Sequence, residues 1–146
     1  MHPAIHLNSM AIIAAIVAYM ALGSLWYGPL FGGIWRREMK VPPDAKPDAG
    51  VMRRALVLML IATFLTVFVL AHEVQIWRPS VWRLGPDAPS LTYGFYAGFF
   101  VWLGFFVPAL LSQVAWENKS WKLFAINAGY YFVGLQLVGA ILACWR

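Results

Sequence analysis

Four long apolar stretches alternate with short polar ones along the 146 residues. They run from about Leu7 to Tyr27, Ala55 to Trp77, Leu91 to Trp116 and Trp121 to Trp145. A helix needs about 20 mainly apolar residues to cross a hydrocarbon core roughly 30 Å thick, and every stretch meets that length. Trp26, Trp35, Trp77, Trp116, Trp121 and Trp145 fall at or near the ends, and only Trp102 lies well inside a stretch. Indole rings collect at membrane interfaces because they are amphipathic. The pattern predicts an all-α protein, an integral membrane bundle of four transmembrane helices.

The connections set its orientation. Arg36, Arg37, Lys40, Lys46, Arg53 and Arg54 fall in connection 36–54, and Lys119 and Lys122 fall around the third. Against these eight stand Arg78, Arg83 and Arg146 on the opposite side. Cytoplasmic connections of membrane proteins are enriched in Lys and Arg, so both termini are expected outside. Connection 36–54 carries Pro42, Pro43 and Pro47 and reads as an extended spacer. The external connection 78–90 is also proline-rich and long enough for a small cap. Glu117 to Ser120 is a tight turn, which makes the last two helices antiparallel neighbours.

Composition agrees with the pattern. Hydrophobic residues make up 62% and charged residues 12%, with a mean hydropathy of +0.68. Soluble domains carry roughly 45–50% apolar and about 25% charged residues, so a soluble or disordered chain is excluded. The net charge of +5 is concentrated beside predicted spans, which argues for membrane topology and against nucleic acid as a partner. The first stretch lacks a basic leader, having only His2 and His6 before it, and is too long for a signal peptide, so it is expected to remain in the mature protein. Cys144 is the single cysteine and allows neither an internal disulfide nor a cysteine-based metal cluster.

Helices in a bilayer associate through close packing and polar contacts, because lipid is as apolar as leucine. Small residues four apart are the candidates for packing: Gly28 with Gly32, Gly94 with Gly98 and Trp102 on the same stripe, and Ala125 with Gly129. Pro108 is expected to kink the third helix, since it lacks a backbone donor and crowds the preceding turn.

Ionisable side chains inside a span cost about 2.5–3.5 kcal/mol at its centre, so they are the candidates for chemistry. An outer polar cluster is expected from Asn8, His72, Glu73 and Gln75, read either as interfacial polarity or as a water-facing pocket. An inner cluster comprises Gln113, Glu117, Lys119, Asn127 and Tyr130. It reads as a hairpin clasp in which Glu117 pairs with a lysine, or as a vestibule for an ion or small solute. A b-type haem would need His6 and His72 facing each other, with His6 at a frayed helix start. No His-x-x-x-His pair supports a metal, and no Gly-x-Ser-x-Gly, Walker glycine loop, His-Glu-x-x-His or Cys-x-x-Cys occurs. No catalytic residue, cofactor or metal is assigned.

Several motifs together resemble a bacterial membrane family, domain of unknown function 1761. They are Asn8, Gly23-x-x-Trp26-Tyr27-x-Pro29-x-Phe31-Gly32 with Trp35, and Leu70-Ala71-His72. Gly94-x-x-x-Gly98-x-x-x-Trp102-x-Gly104, Trp116-Glu117 with Lys119-Ser120, and Ile126-Asn127-x-Gly129-Tyr130 with Gly139 and Trp145 complete the set. Trp116, where the family pattern leads to Phe or Tyr, and the long external connection depart from it. The resemblance implies a multi-pass protein of the bacterial inner (cytoplasmic) membrane and no activity. The leading expectation is a small non-enzymatic protein, embedded in the lipid bilayer as a homo-oligomer, forming a pathway or binding site for an ion, small solute or lipid. An accessory subunit of a larger membrane complex is the alternative, and an enzyme acting on a lipid or quinone is third.

Overall fold

The computed structural model describes residues 5–145; His2 and Arg146, which enter the reading above, lie outside them. Helix α1 (Ser9–Leu25) passes through a π-helical turn, Trp26–Leu30, and is followed by the short α2 (Gly32–Glu38). Helix α3 (Ala49–Ile76) leads to a 3₁₀ turn, Pro79–Trp82. Helix α4 (Ser90–Val101) passes through a second π-helical turn, Trp102–Phe106, into α5 (Val107–Glu117), and α6 (Trp121–Cys144) closes the order. Four continuous rods, Ser9–Leu30, Ala49–Ile76, Ser90–Glu117 and Trp121–Cys144, are long and apolar enough to cross a membrane. The fold is therefore all-α, with four helices fit to span a bilayer and no strand among the described residues.

Capping fixes where the rods begin. Asn8 accepts from the amides of Met10 and Ala11 at 2.9 and 3.2 Å and starts α1. Asp48 accepts from Gly50 and Val51 at 2.7 and 3.3 Å, so α3 starts at Ala49 rather than near Ala55. Arg53 and Arg54 consequently ride on helix, not in a loop. Such caps satisfy amides that have no partner within the helix. At the other hairpin, Asn118 adopts the left-handed conformation (φ 53°) and Ser120 caps α6 through the Leu123 amide at 3.1 Å. This hairpin and the 39–48 connection make up the basic end; the Arg78–Pro89 connection covers the cap end.

Helix α6 is the centre of the bundle. Burial is 44% over its most apolar stretch, against 17–22% in the other rods. Glycines make this possible. Gly94 of α4 and Gly139 of α6 are so close that a Cβ on either would strike the other's carbonyl oxygen. A Cβ on Gly98 would lie 2.9 Å from the Leu135 carbonyl oxygen, one on Gly129 would lie 3.2 Å from the Trp26 ring, and one on Gly134 would enter the Tyr19 ring. Gly129, Gly134 and Gly139 are five apart, so each successive glycine is turned by about 140° and no single stripe forms.

The Gly28–Gly32 pair does not act as a helix-packing stripe. Gly28 has open space around it, and Gly32 lies beneath the Tyr27 carbonyl of its own turn. Both belong to the irregular backbone after the first π turn, where Gly28 adopts φ −101°, ψ −106°. The third rod meets Pro108 in a related way. The missing amide and the ring's clash with the carbonyl four residues back are absorbed by the wider turn Trp102–Phe106. Each π turn begins with a tryptophan pinned to α6: Trp26 Nε1 donates to the Ile126 carbonyl at 3.0 Å and Trp102 Nε1 to the Ala128 carbonyl at 2.9 Å.

Helix α3 packs along only part of its length. Thr63, Val67, Leu70, Ala71 and Val74 are buried, while every residue from Ala49 to Ala62 is exposed. In a bilayer that surface is solvated by lipid and carries no penalty.

Candidate functional site

Small residues draw α4 onto α6, whereas the α4 side chains turned toward α3 are aromatic. The space between them is a groove of about 850 Å³, open along one side. Its α3 wall is Leu65, Thr66, Val69, Leu70, Glu73 and Trp77. Its opposite wall is Tyr93, Tyr96, Ala97, Phe100 and Val101, continued by Phe105 and Phe106 of the second π turn. Leu70 and Ala97 are buried, while Leu65, Tyr96, Phe100 and Phe105 are exposed at the rim. Tyr96 and Phe100 stack with centroids 6.1 Å apart. A concave, mainly apolar cavity with a few polar groups is the usual form of a small-molecule site.

Glu73 supplies the one acidic side chain of this groove. One carboxylate oxygen accepts the Trp77 indole N–H at 3.1 Å, and no ion pair forms at Glu73 among the described residues. Thr66 donates back to the Ala62 carbonyl at 2.9 Å, a bond within its own helix. The polar character of the groove is thus concentrated at the cap end, around Glu73, Trp77, Tyr93 and Tyr96.

Arg78, one residue beyond Trp77, is 2% exposed, although its sequence position suggests a solvated loop charge. Burying a charge is costly unless it is paired and hydrogen-bonded, and here it is both. Its Nη2 donates to the Ala143 carbonyl at 3.2 Å, its Nε to the Val74 carbonyl at 3.4 Å, and Nη1 lies 3.6 Å from Asp87. Its guanidinium also sits 5.1 Å from the centre of the Tyr93 ring. Asp87 in turn accepts from the Ser80 amide and hydroxyl at 2.9 and 2.8 Å, and the Tyr93 hydroxyl accepts the Ala88 amide at 2.9 Å. One arginine therefore ties the ends of α3 and α6 to the cap and to α4.

The four residues expected to form an outer cluster separate. Asn8 and Gln75 line a water-sized niche of about 10 Å³ with Ala11, Ala71, Leu142 and Trp145. His72 turns back on its own helix, its Nδ1 2.9 Å from the Phe68 carbonyl oxygen and its ring edge-on to Phe68. Glu73 alone faces the groove. The helical rotation of about 100° per residue places neighbours such as His72 and Glu73 on different faces.

The inner cluster also divides. Glu117 is exposed and forms no ion pair among the described residues, so it does not clasp a lysine. Lys119 and Gln113 join the hairpin through backbone, the Lys119 amide donating to the Gln113 carbonyl at 3.2 Å. Asn127 points inward and accepts the Tyr27 hydroxyl at 2.9 Å. Tyr130 is buried between Tyr19, Tyr27 and Tyr131, at centroid distances of 5.3, 5.1 and 5.3 Å. This is a packed aromatic core. His6 is exposed, and no group of three or more His, Cys, Asp or Glu is placed to hold a metal among the described residues.

The fold defines a multi-pass helical membrane protein with a mainly apolar groove open along one side. The chain belongs to the family DUF1761, described as a protein of unknown function, which matches residues 10–143. It is also similar to a UPF0591 membrane protein of Schizosaccharomyces pombe, with 30% identity over 69 residues. That match covers 47% of this chain and 47% of the relative, so the chain spans about half the length of the protein it matches. No solved structure matches the chain.

Proposed function

We propose that the protein binds a lipid-like amphiphile in the groove between α3 and α4, the tail along the apolar walls and the polar end at Glu73. The observation that carries this reading is an apolar cavity of about 850 Å³, open to the side and furnished with one carboxylate at its cap end. A side opening on a membrane helix bundle admits molecules already dissolved in the bilayer. The binding-site form of the expectation is favoured over a pathway through one chain, because α4 is drawn tightly onto α6 at Gly94–Gly139 and α1 at Tyr19–Gly134.

Photo-crosslinking with a lipid carrying a diazirine on its acyl chain tests the reading. Labelled peptides should map to α3 and α4, and Val69→Trp, which fills the groove, should abolish labelling while leaving the protein folded. Labelling spread evenly around the bundle would overturn it.

A second reading, association of copies, is favoured by the exposed stretch of α3 from Ala49 to Ala62. Cysteine crosslinking at Leu58 in native membranes would yield a dimer under that reading and monomer otherwise. Placement of the basic end in the cytoplasm of a bacterial inner membrane rests on the charge asymmetry and the family resemblance. Cys144 is exposed at the cap end, so an impermeant maleimide should label it from outside intact cells.

A further inference from the structure

We infer that the groove selects an alkyl ammonium: a cationic head held by Glu73 and the rings beside it, with an aliphatic tail along the α3–α4 walls. This inference rests on the groove reading above and adds the charge of the head group. Glu73 is the one acid lining a mainly apolar cavity, and it forms no ion pair among the described residues. A carboxylate accepts about four hydrogen bonds, and the Trp77 indole uses one of them. The remaining acceptor capacity is open to a donor, and a positive charge in the groove is the complement of this carboxylate.

Trp77 and Tyr96 line the same cavity and are 67% and 54% exposed. Aromatic faces attract ammonium ions through their quadrupole, and an acid together with aromatic rings is the arrangement that recognises them. The chain already uses this chemistry once beside the groove, where the Arg78 guanidinium packs on the Tyr93 ring. That arginine does not line the groove; its donors go to Val74, Ala143 and Asp87. A phosphate or sulfate head would therefore meet Glu73 without a lining cation to offset it. Charge complementarity selects a cation.

The test uses the full-length protein in nanodiscs of an uncharged galactolipid. Two diazirine probes share one alkyl chain, one ending in trimethylammonium and the other in the neutral tert-butyl isostere. The ammonium probe should label groove residues with about tenfold higher affinity. Glu73→Gln should bring it down to the neutral probe's level, and Glu73→Asp should retain the preference. Equal labelling of the groove by both probes would overturn the ammonium inference while leaving the groove reading intact. Absence of groove labelling by either probe would overturn both. A preference unchanged in Glu73→Gln would remove Glu73 from the head-group site. If Glu73→Gln yields no folded protein, the two probes on the unmodified chain still decide the charge of the head.

Discussion

Between Thr63 and Val74, α3 buries one residue in nearly every turn, whereas from Ala49 to Ala62 it buries none, although both segments are rich in leucine and valine. Hydropathy does not separate them. What differs is the surface offered by the neighbours. Toward the cap end, α1 presents the buried Ala11 and Ala15, and α6 presents Val138, Leu142 and Ala143, so three helices approach closely. Toward the basic end, the π turn after α1 brings Trp26 and Tyr27 onto α6, each with a hydrogen bond to it. Lipid solvates Leu58 as well as another helix would, so nothing draws that half inward. In a bilayer, small residues and polar pins decide where helices meet, and leucines do not.

The largest effect should come from Gly139→Leu. The Gly139 and Gly94 backbones touch, and no rotamer can place a side chain there without separating α4 from α6. Overpacking costs about 1–3 kcal/mol even where side chains can yield, and here the obstacle is backbone. Size-exclusion chromatography in detergent should show no monodisperse protein. Recovery of a folded variant would mean that small residues do not govern the packed half.

Next comes Arg78→Met, which removes the bridge from α3 to α6 and the cap. Breaking a buried charge pair by deleting one partner costs about 3–5 kcal/mol. Thermal unfolding in detergent should drop accordingly, and a peptide from the cap should become protease-sensitive. A melting temperature equal to that of the unaltered chain would show that apolar contacts alone hold the cap half. Smaller again is Leu70→Ala, where a fully buried side chain leaves a cavity costing about 2–5 kcal/mol in water-soluble cores. In lipid the lower part of that range is expected, because the unfolded reference is also apolar.

Much of the architecture was legible from apolar length, and the packing residues only in part. Gly94, Gly98 and Trp102 lie four apart and lie along the α4–α6 seam, as spacing suggests. Gly134 and Gly139 do not fit that spacing, since five-residue steps turn them onto different partners. Each tryptophan pin precedes a glycine by two and a proline further on, Trp26-x-Gly28-Pro29 and Trp102-x-Gly104 before Pro108, a signal that could have marked both π turns. The polar clusters were less legible because depth along a helix is readable from sequence and facing is not. His72 and Glu73 share a depth and face apart, while Asn8 and Gln75 line one niche. Arg78 looked like a loop charge because its partners, Asp87 and the end of α6, are brought together only by the tertiary fold.

The smallest expected effect sharpens the comparison most. Leu58→Ala removes as many atoms from α3 as Leu70→Ala does, and Leu58 is 54% exposed where Leu70 is 1% exposed. If lipid is its only neighbour, the stability change should stay within about 0.5 kcal/mol, as for ordinary surface substitutions. The paired variants, melted side by side in detergent and in nanodiscs, measure what a leucine contributes when a helix covers it and when lipid does. A loss at Leu58 approaching that at Leu70 would mean the half of α3 that looks bare has a protein neighbour. Dilution then identifies that neighbour: a penalty that fades as protein concentration falls belongs to a second copy, because only an association equilibrium depends on concentration.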